Sequence, residues 1–193
     1  MSTVVFNTSM SLDGFMTASN RSAEQPLGVG GERLHAWLIE SNDARDREVI
    51  EKSRQGVAAM ITGRTTYDDS LPWWGADGPG GAARTPVFVV THQPLEQPSE
   101  NGVYTFVTDG IESALELAEA AADGGVIAMG GGSIGRHFIE AGLVDELRIS
   151  LVPVLFGAGI SMFAELEDRH IELEPLEVIA TSTIHMRFKV VRG

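Results

Sequence analysis

The sequence predicts an α/β fold with a mostly parallel central sheet of about eight strands, helices on its faces and an antiparallel C-terminal edge. Three observations predict it. Apolar strand-like runs alternate with helical stretches as far as residue 143. Beyond that point strand-like segments follow one another directly. Between them, the run Gly130-Gly131-Gly132-Ser133-Ile134-Gly135 follows the apolar Val126-Ile127-Ala128-Met129, giving a strand, a glycine turn and a helix start in succession.

The elements follow in order. Val4 to Thr8 is a first, central strand, followed by a polar loop through Ser9 to Phe15. Residues 18–31, rich in Gly, Ser, Asn and Gln, form an exposed loop. Helical spacing appears at Leu34, Trp37 and Leu38, and again from Asp43 to Ser53. Val57 to Thr62 is a second strand, and Gly63 to Tyr67 turns into a short helix. Trp73, Trp74 and Gly75 fall on a loop with several glycines and prolines. Pro86 to Thr91 and Val103 to Val107 are the third and fourth strands. Residues 111–122 form an amphipathic helix with apolar positions at 111, 114, 115, 118 and 122. Thr108 and Asp109 are suited to cap its start, and Gly124 lies just past its end. The glycine-turn strand comes next, and Ile134, Phe138 and Ala141 give helical spacing over 133–141. Glu146 to Val152 is a sixth strand; Ile171–Glu174, Val178–Thr181 and Ile184–Val191 supply the antiparallel edge. In the last, Ile184, Met186, Phe188 and Val190 alternate with His185, Arg187 and Lys189, the period of a half-buried strand.

Composition narrows the function classes. The 193 residues suit a single domain, 1–193, with a substantial core, and no linker or repeat marks a second one. A net charge of −13 argues against nucleic acid and anionic membrane surfaces as partners, because both need positive potential. There is no cysteine, hence no disulfide framework and no thiolate chemistry. No apolar run approaches the roughly 18 residues of a membrane span, and no basic leader precedes Val4-Val5-Phe6, so a cytoplasmic location is expected. No metal-ligand motif is present, and no metal is expected.

The glycine run points to an anionic ligand. Glycines let backbone approach a ligand, and free N–H groups at a helix start favour phosphate. The run also satisfies G-x-G-x-x-G. Its late position, and the absence of an acid in Leu151–Gly157 downstream, count against a dinucleotide fingerprint of Rossmann type. A tight strand-to-helix turn without ligand remains the alternative.

Four motifs, spread over nearly the whole chain, resemble the dihydrofolate-reductase-like superfamily, and most closely the reductase domain of bacterial riboflavin-pathway deaminase-reductases and its stand-alone relatives. They are Ser11-Leu12-Asp13-Gly14-Phe15, Ile61-Thr62-Gly63-Arg64-Thr65-Thr66-Tyr67, the glycine run, and Ala141-Gly142-Leu143-Val144-Asp145-Glu146-Leu147 followed by Pro153-Val154-Leu155-Phe156-Gly157. The resemblance implies an NADPH-dependent oxidoreductase that transfers hydride to a small heterocyclic substrate. Its first-choice activity is that of a 5-amino-6-(5-phosphoribosylamino)uracil reductase. A pterin or dihydrofolate reductase, or an NADPH-binding protein without turnover, are the alternatives. It also implies a homodimer through the late strands.

By the same resemblance, Gly63, Arg64, Thr65 and Thr66 meet the cofactor's phosphates, with Arg64 on the ribose 2′-phosphate. Gly130, Gly131, Gly132, Ser133 and Ile134 approach the pyrophosphate from the other side, and Thr91 and His92 flank the adenine ribose. Ser9, Met16 and Thr17 face the nicotinamide. The chemistry agrees, since a guanidinium fork suits a phosphate and a helix start offers N–H donors. Asp13, the one acid of the opening loop, is the candidate catalytic group, with a plain Asp-Gly turn as its alternative. Trp37, Trp73 and Trp74 are candidate walls for a planar substrate, against core packing for Trp37 and a lid or dimer contact for the pair. For Arg64 the alternative is a surface ion pair, for Thr65 and Thr66 helix capping, and for Thr91 and His92 a strand end. The region 18–44 departs from the riboflavin-pathway reductase domain, which recognises a phosphoribosyl substrate there with polar and basic residues, and no deaminase zinc motif is present.

Overall fold

A computed structural model describes residues 2–93, 101–164, 166 and 170–191. Eight strands form one mixed sheet in the order β4-β3-β2-β5-β1-β6-β8-β7. The strands are β1 Thr3–Ser11, β2 Val57–Gly63, β3 Val87–Val90, β4 Tyr104–Val107, β5 Val126–Gly130, β6 Glu146–Val152, β7 Leu173–Ala180 and β8 Ile184–Val190. Five α-helices join them: α1 Ala36–Ile39, α2 Ala44–Arg54, α3 Arg64–Trp74, α4 Ile111–Ala122 and α5 Gly132–Glu140. A 3-10 turn, Gly31–His35, leads into α1. The predicted fold class is the one observed.

Contacts divide the chain into two compact units, each built from separated stretches. One comprises Met1–Val5 and Gly56–Ala141; the other comprises Phe6–Gln55 and Gly142–Gly193.

The first unit holds the parallel strands. β2 pairs in parallel with β3 and with β5, and β3 with β4. Their apolar runs suit strands covered on both faces, and Ala59, Ile61, Val87, Val89 and Ile127 are fully buried. α4 buries Ala114, Ala118 and Ala122, small residues at helical spacing. Its start differs from the expectation. Gly110, at φ 98, is the N-cap, and neither Thr108 nor Asp109 makes a side-chain capping bond. A second difference lies in α3, which continues through Pro72, Trp73 and Trp74, so the tryptophan pair is helical rather than on a loop. The loss of one donor at Pro72 is tolerated near the helix end, where Leu71 and Trp74 pack on the cluster of Tyr67, Val87, Val89 and Tyr104.

The second unit holds the antiparallel edge. β6 pairs with β8, and β8 with β7, through antiparallel ladders. α2 is capped by Asp43, which accepts the Arg45 N–H at 2.9 Å. β8 shows the predicted alternation but not the predicted burial at its start: Ile184 is 41% exposed and His185 only 5%. The imidazole is buried because both ring nitrogens are hydrogen-bonded, as described below.

Candidate functional site

In the first unit, the carboxyl ends of the parallel strands open onto a cleft of about 520 Å3. Four turns border it: Gly63 to Thr66 from β2 into α3, Val90 to Gln93 after β3, Thr108 to Ile111 from β4 into α4, and Gly131 to Ile134 from β5 into α5, with His137 one turn further on. This is where ligands bind in open α/β sheets. None of α3, α4 and α5 has its first turn capped by a side chain, so three helix starts leave N–H donors and the positive ends of their dipoles toward one space. Among the described residues no carboxylate lines the cleft, although the chain carries 27 Asp and Glu. Arg64, His92 and His137 do line it.

Local packing explains the glycine at 131 before any ligand is considered. Its φ is 102, and a Cβ there would overlap Thr66 Oγ1 at the start of α3. Thr62 Oγ1 donates to the Gly130 carbonyl at 3.0 Å, tying β2 to the same turn. Arg64 donates through Nε to Asp68 at 2.7 and 2.9 Å, one helical turn on. The ion-pair alternative for Arg64 is therefore realised, yet the residue also faces the cleft. Thr91 is buried; its hydroxyl donates to the Gln93 carbonyl at 3.1 Å and accepts the Gln93 N–H at 3.3 Å, closing the turn after β3.

Of the predicted cofactor residues, Gly63, Arg64, Thr65, Thr66, Thr91, His92, Gly131, Ser133 and Ile134 line this cleft. Gly130 ends β5 and Gly132 opens α5. Sequence reading missed Gln93, Gly110 and His137. Gly110 had a signal, a glycine between strand and helix like Gly63 and Gly131. His137 had another, lying four residues, one helical turn, after Ser133.

The remaining predicted residues fall elsewhere. Ser9, Met16, Thr17, Asp13 and Trp37 belong to the second unit. There the first and last of the four motifs are knitted together. Leu12 N–H donates to Val154, Met16 N–H to Ile160, and Thr17 Oγ1 accepts the Ile160 N–H at 3.1 Å. The Asp13 carboxylate accepts the Ser11 hydroxyl at 2.6 Å, the Gly157 N–H at 2.7 Å and the Phe156 N–H at 3.2 Å. Those bonds, the Ser11 hydroxyl foremost, hold Asp13 below the usual carboxylate range. Ser9 Oγ accepts the indole N–H of Trp37 at 3.0 Å. Trp37 is buried with Leu34 and Val152, which realises its core alternative. Trp73 is 70% exposed, whereas Trp74 packs on the Tyr67 cluster.

The second unit also contains a buried polar group that the sequence reading did not assemble. Asp46, fully buried, accepts hydrogen bonds from Ser41 Oγ, from Thr181 Oγ1 at 2.6 Å and from His185 Nε2 at 3.0 Å. An ionised carboxylate only accepts, so Nε2 carries a proton. In the neutral ring Nδ1 then accepts from Ser150 Oγ at 2.9 Å. Burial pushes the Asp46 carboxyl up, but the donors from Ser41, Thr181 and His185 together outweigh it and leave it below the usual range.

Comparison with known proteins gives these geometries a family. The domain family described as the RibD C-terminal domain matches residues 2–185. The chain belongs to that family. The RibD-type match extends to structure. A candidate riboflavin biosynthesis protein of Shewanella sp. PV-4 superimposes with a TM-score of 0.74 at 23% identity, covering 100% of both chains. The diaminohydroxyphosphoribosylaminopyrimidine deaminase/5-amino-6-(5-phosphoribosylamino)uracil reductase of Thermotoga maritima gives 0.67 at 15% identity, over 98% of this chain and 57% of that one. Dihydrofolate reductase of Enterococcus faecalis, complexed with NADP(H), gives 0.58 at 16% identity, over 97% and 96%. In sequence, the uncharacterized protein YwjB of Bacillus subtilis is 25% identical over 84% of this chain and 83% of its own length. The RibD-type neighbours and dihydrofolate reductase share this fold, and membership of the RibD C-terminal domain family supports an oxidoreductase. Among the described residues no helix is long and apolar enough to cross a membrane, and no three His, Asp or Glu are grouped to hold a metal.

Proposed function

We propose that the protein is an NADPH-dependent reductase of the riboflavin-pathway type, acting on a small heterocycle of the 5-amino-6-(5-phosphoribosylamino)uracil class. The observation that carries the cofactor is the cleft of the first unit, lined by no carboxylate among the described residues, with Arg64 and three uncapped helix starts around it. A ligand with several phosphates fits that chemistry, and family membership together with the NADP(H) bound to the Enterococcus neighbour supports the choice. When bound, NADPH supplies hydride from its nicotinamide ring. In this reading Thr65, Thr66 and residues 130–134 offer backbone and hydroxyl donors to the pyrophosphate. Arg64 takes the 2′-phosphate with the guanidinium nitrogens outside its Asp68 pair, and Thr91 and His92 flank the adenosine.

Ser9, Met16 and Thr17 remain the proposed nicotinamide contacts, and Trp37, Trp73 and Trp74 the proposed substrate walls. Asp13 is the proposed substrate-orienting acid, although its three loop bonds account for an aspartate there without any substrate. The two units are proposed to act as one functional domain, since the family match runs across both and the chain passes between them repeatedly. A cytoplasmic homodimer that binds no nucleic acid completes the proposal; edge strand β7, with Leu176 and Val178 exposed, supports self-association through the late strands.

Following NADPH absorbance with pyrimidine and pterin acceptors tests this. Oxidation with the phosphoribosylaminouracil substrate is expected. Turnover with dihydrofolate alone would favour the pterin reading, and NADPH binding with no turnover on any acceptor would favour a binding protein.

A further inference from the structure

Within the second unit, Trp37 is the shared wall of two cavities. It lines an open one of about 490 Å3 with Val152 and Pro153, and a small one of about 30 Å3 with Ser150 and His185. Two contacts hold the indole in that place. Its N–H donates to Ser9 Oγ on β1 at 3.0 Å. Its ring meets the imidazole of His185 edge-on, with centroids 4.5 Å and planes 62° apart.

The imidazole is itself unable to turn. Nε2 donates to Asp46 on α2 at 3.0 Å and Nδ1 accepts from Ser150 on β6 at 2.9 Å, both inside the protein. Asp46 is fixed in turn by the hydroxyls of Ser41 and Thr181. A ring bound at both nitrogens offers Trp37 a rigid flank. The residue type follows from the two tasks. A phenylalanine would be as flat but would leave Asp46 short of a donor, and a glutamine would serve Asp46 without offering a ring.

The far end of this chain of contacts is Ser9. A hydroxyl has one proton and two lone pairs, and the indole N–H occupies a lone pair, so the Ser9 proton is directed away from Trp37. We propose that His185 is a positioning residue for the nicotinamide end of the site. Locked between Asp46 and Ser150, it sets the Trp37 ring, and Trp37 sets the Ser9 hydroxyl as a donor for the carboxamide oxygen. The proposal rests on the reading of Ser9 as a nicotinamide contact, and it adds three residues, Asp46, Ser150 and His185, that touch neither cofactor nor substrate in that reading.

Two measurements test it on the full chain. The first needs no ligand: the indole N–H resonances of the three tryptophans, with that of Trp37 identified by its loss in Trp37→Phe. Ser9→Ala and His185→Gln are each expected to shift the Trp37 signal and leave those of Trp73 and Trp74 in place. A Trp37 signal unmoved by His185→Gln would overturn the relay. The second is calorimetric titration with NADPH and with 2′,5′-ADP, which carries the adenosine and its phosphates but no nicotinamide. His185→Gln and Ser9→Ala are each expected to weaken NADPH by about three- to tenfold, the loss of one neutral hydrogen bond, with 2′,5′-ADP unchanged. The double variant is expected to lose no more than the larger single loss, because both substitutions act through Trp37. Ser150→Ala, which releases the imidazole at one nitrogen only, is expected to give the same pattern in smaller measure and replaces His185→Gln if that variant does not fold. Equal weakening of both ligands, losses that add in the double variant, or unchanged NADPH affinity in the folded variant would overturn the inference. A wild type that binds neither ligand would overturn the nucleotide reading and the nicotinamide role with it, while the Trp37 resonance still decides the relay.

Discussion

Arg64 sits where helix stability alone disfavours it. A cation in the first turn of α3 faces the positive end of the helix dipole, at a cost of about 0.3–1 kcal/mol, and Asp68 offsets part of this from the next turn. In the proposed reading, an anion in the cleft gives the residue its function. Arg64→Ala is expected to weaken NADPH binding by roughly ten- to a hundredfold while leaving NADH binding unchanged, as loss of a charge-assisted bond worth about 1.5–3 kcal/mol requires. Titration of both nucleotides on the variant checks it. Asp13 was legible as the acid of the opening loop, but its partners were not, because Phe156 and Gly157 lie 143 and 144 residues away. Asp13→Asn is expected to lower the melting temperature and leave NADPH affinity unchanged. Slower turnover by the folded variant would mark the substrate-orienting role, and unaltered turnover would assign the carboxylate to the loop.

At the level of elements, the helix over 111–122 and the strand over 146–152 were readable to the residue, because periodicity and flanking glycines agree there. The cap of α4 was not. Thr108 and Asp109 have capping side chains, yet Gly110 takes the cap at φ 98 and ψ −176, a conformation open essentially to glycine. Gly110→Ala is therefore expected to destabilise by about 1–3 kcal/mol, read from denaturant melts. The tether of α2 to the β6–β8 ladders was also invisible, since Asp46 and His185 are 139 residues apart and His185 reads as the polar face of an alternating strand. Because the Asp46 carboxyl is held below its unfolded value of about 3.9, its contribution is complete above that pH and is lost as pH falls through the folded value. The wild type should lose stability below about pH 4, and Asp46→Asn, destabilised at neutral pH by about 1–3 kcal/mol through mismatched donors, should show less loss over the same window. Melting curves between neutral pH and the acid limit of each protein decide it.

Across the whole molecule, four motifs separated by long stretches of chain carried the family, because each marks a turn at a strand end. The division into two interleaved units stayed hidden, since it depends on contacts between Phe6–Gln55 and Gly142–Gly193, which no local pattern reports. Net charge was a poor guide to the ligand. Among the described residues of a chain at −13, no carboxylate lines the cleft into which three helix starts point, so local donors there count for more than the global charge. That cleft is the basis of the functional account. Its most direct test is calorimetric titration of the wild-type protein with NADPH and with NADH under identical conditions. The account predicts that NADPH binds at least about tenfold more tightly, the lower bound for one charge-assisted contact to the 2′-phosphate. Equal affinity for the two nucleotides, or no binding of either, would contradict it.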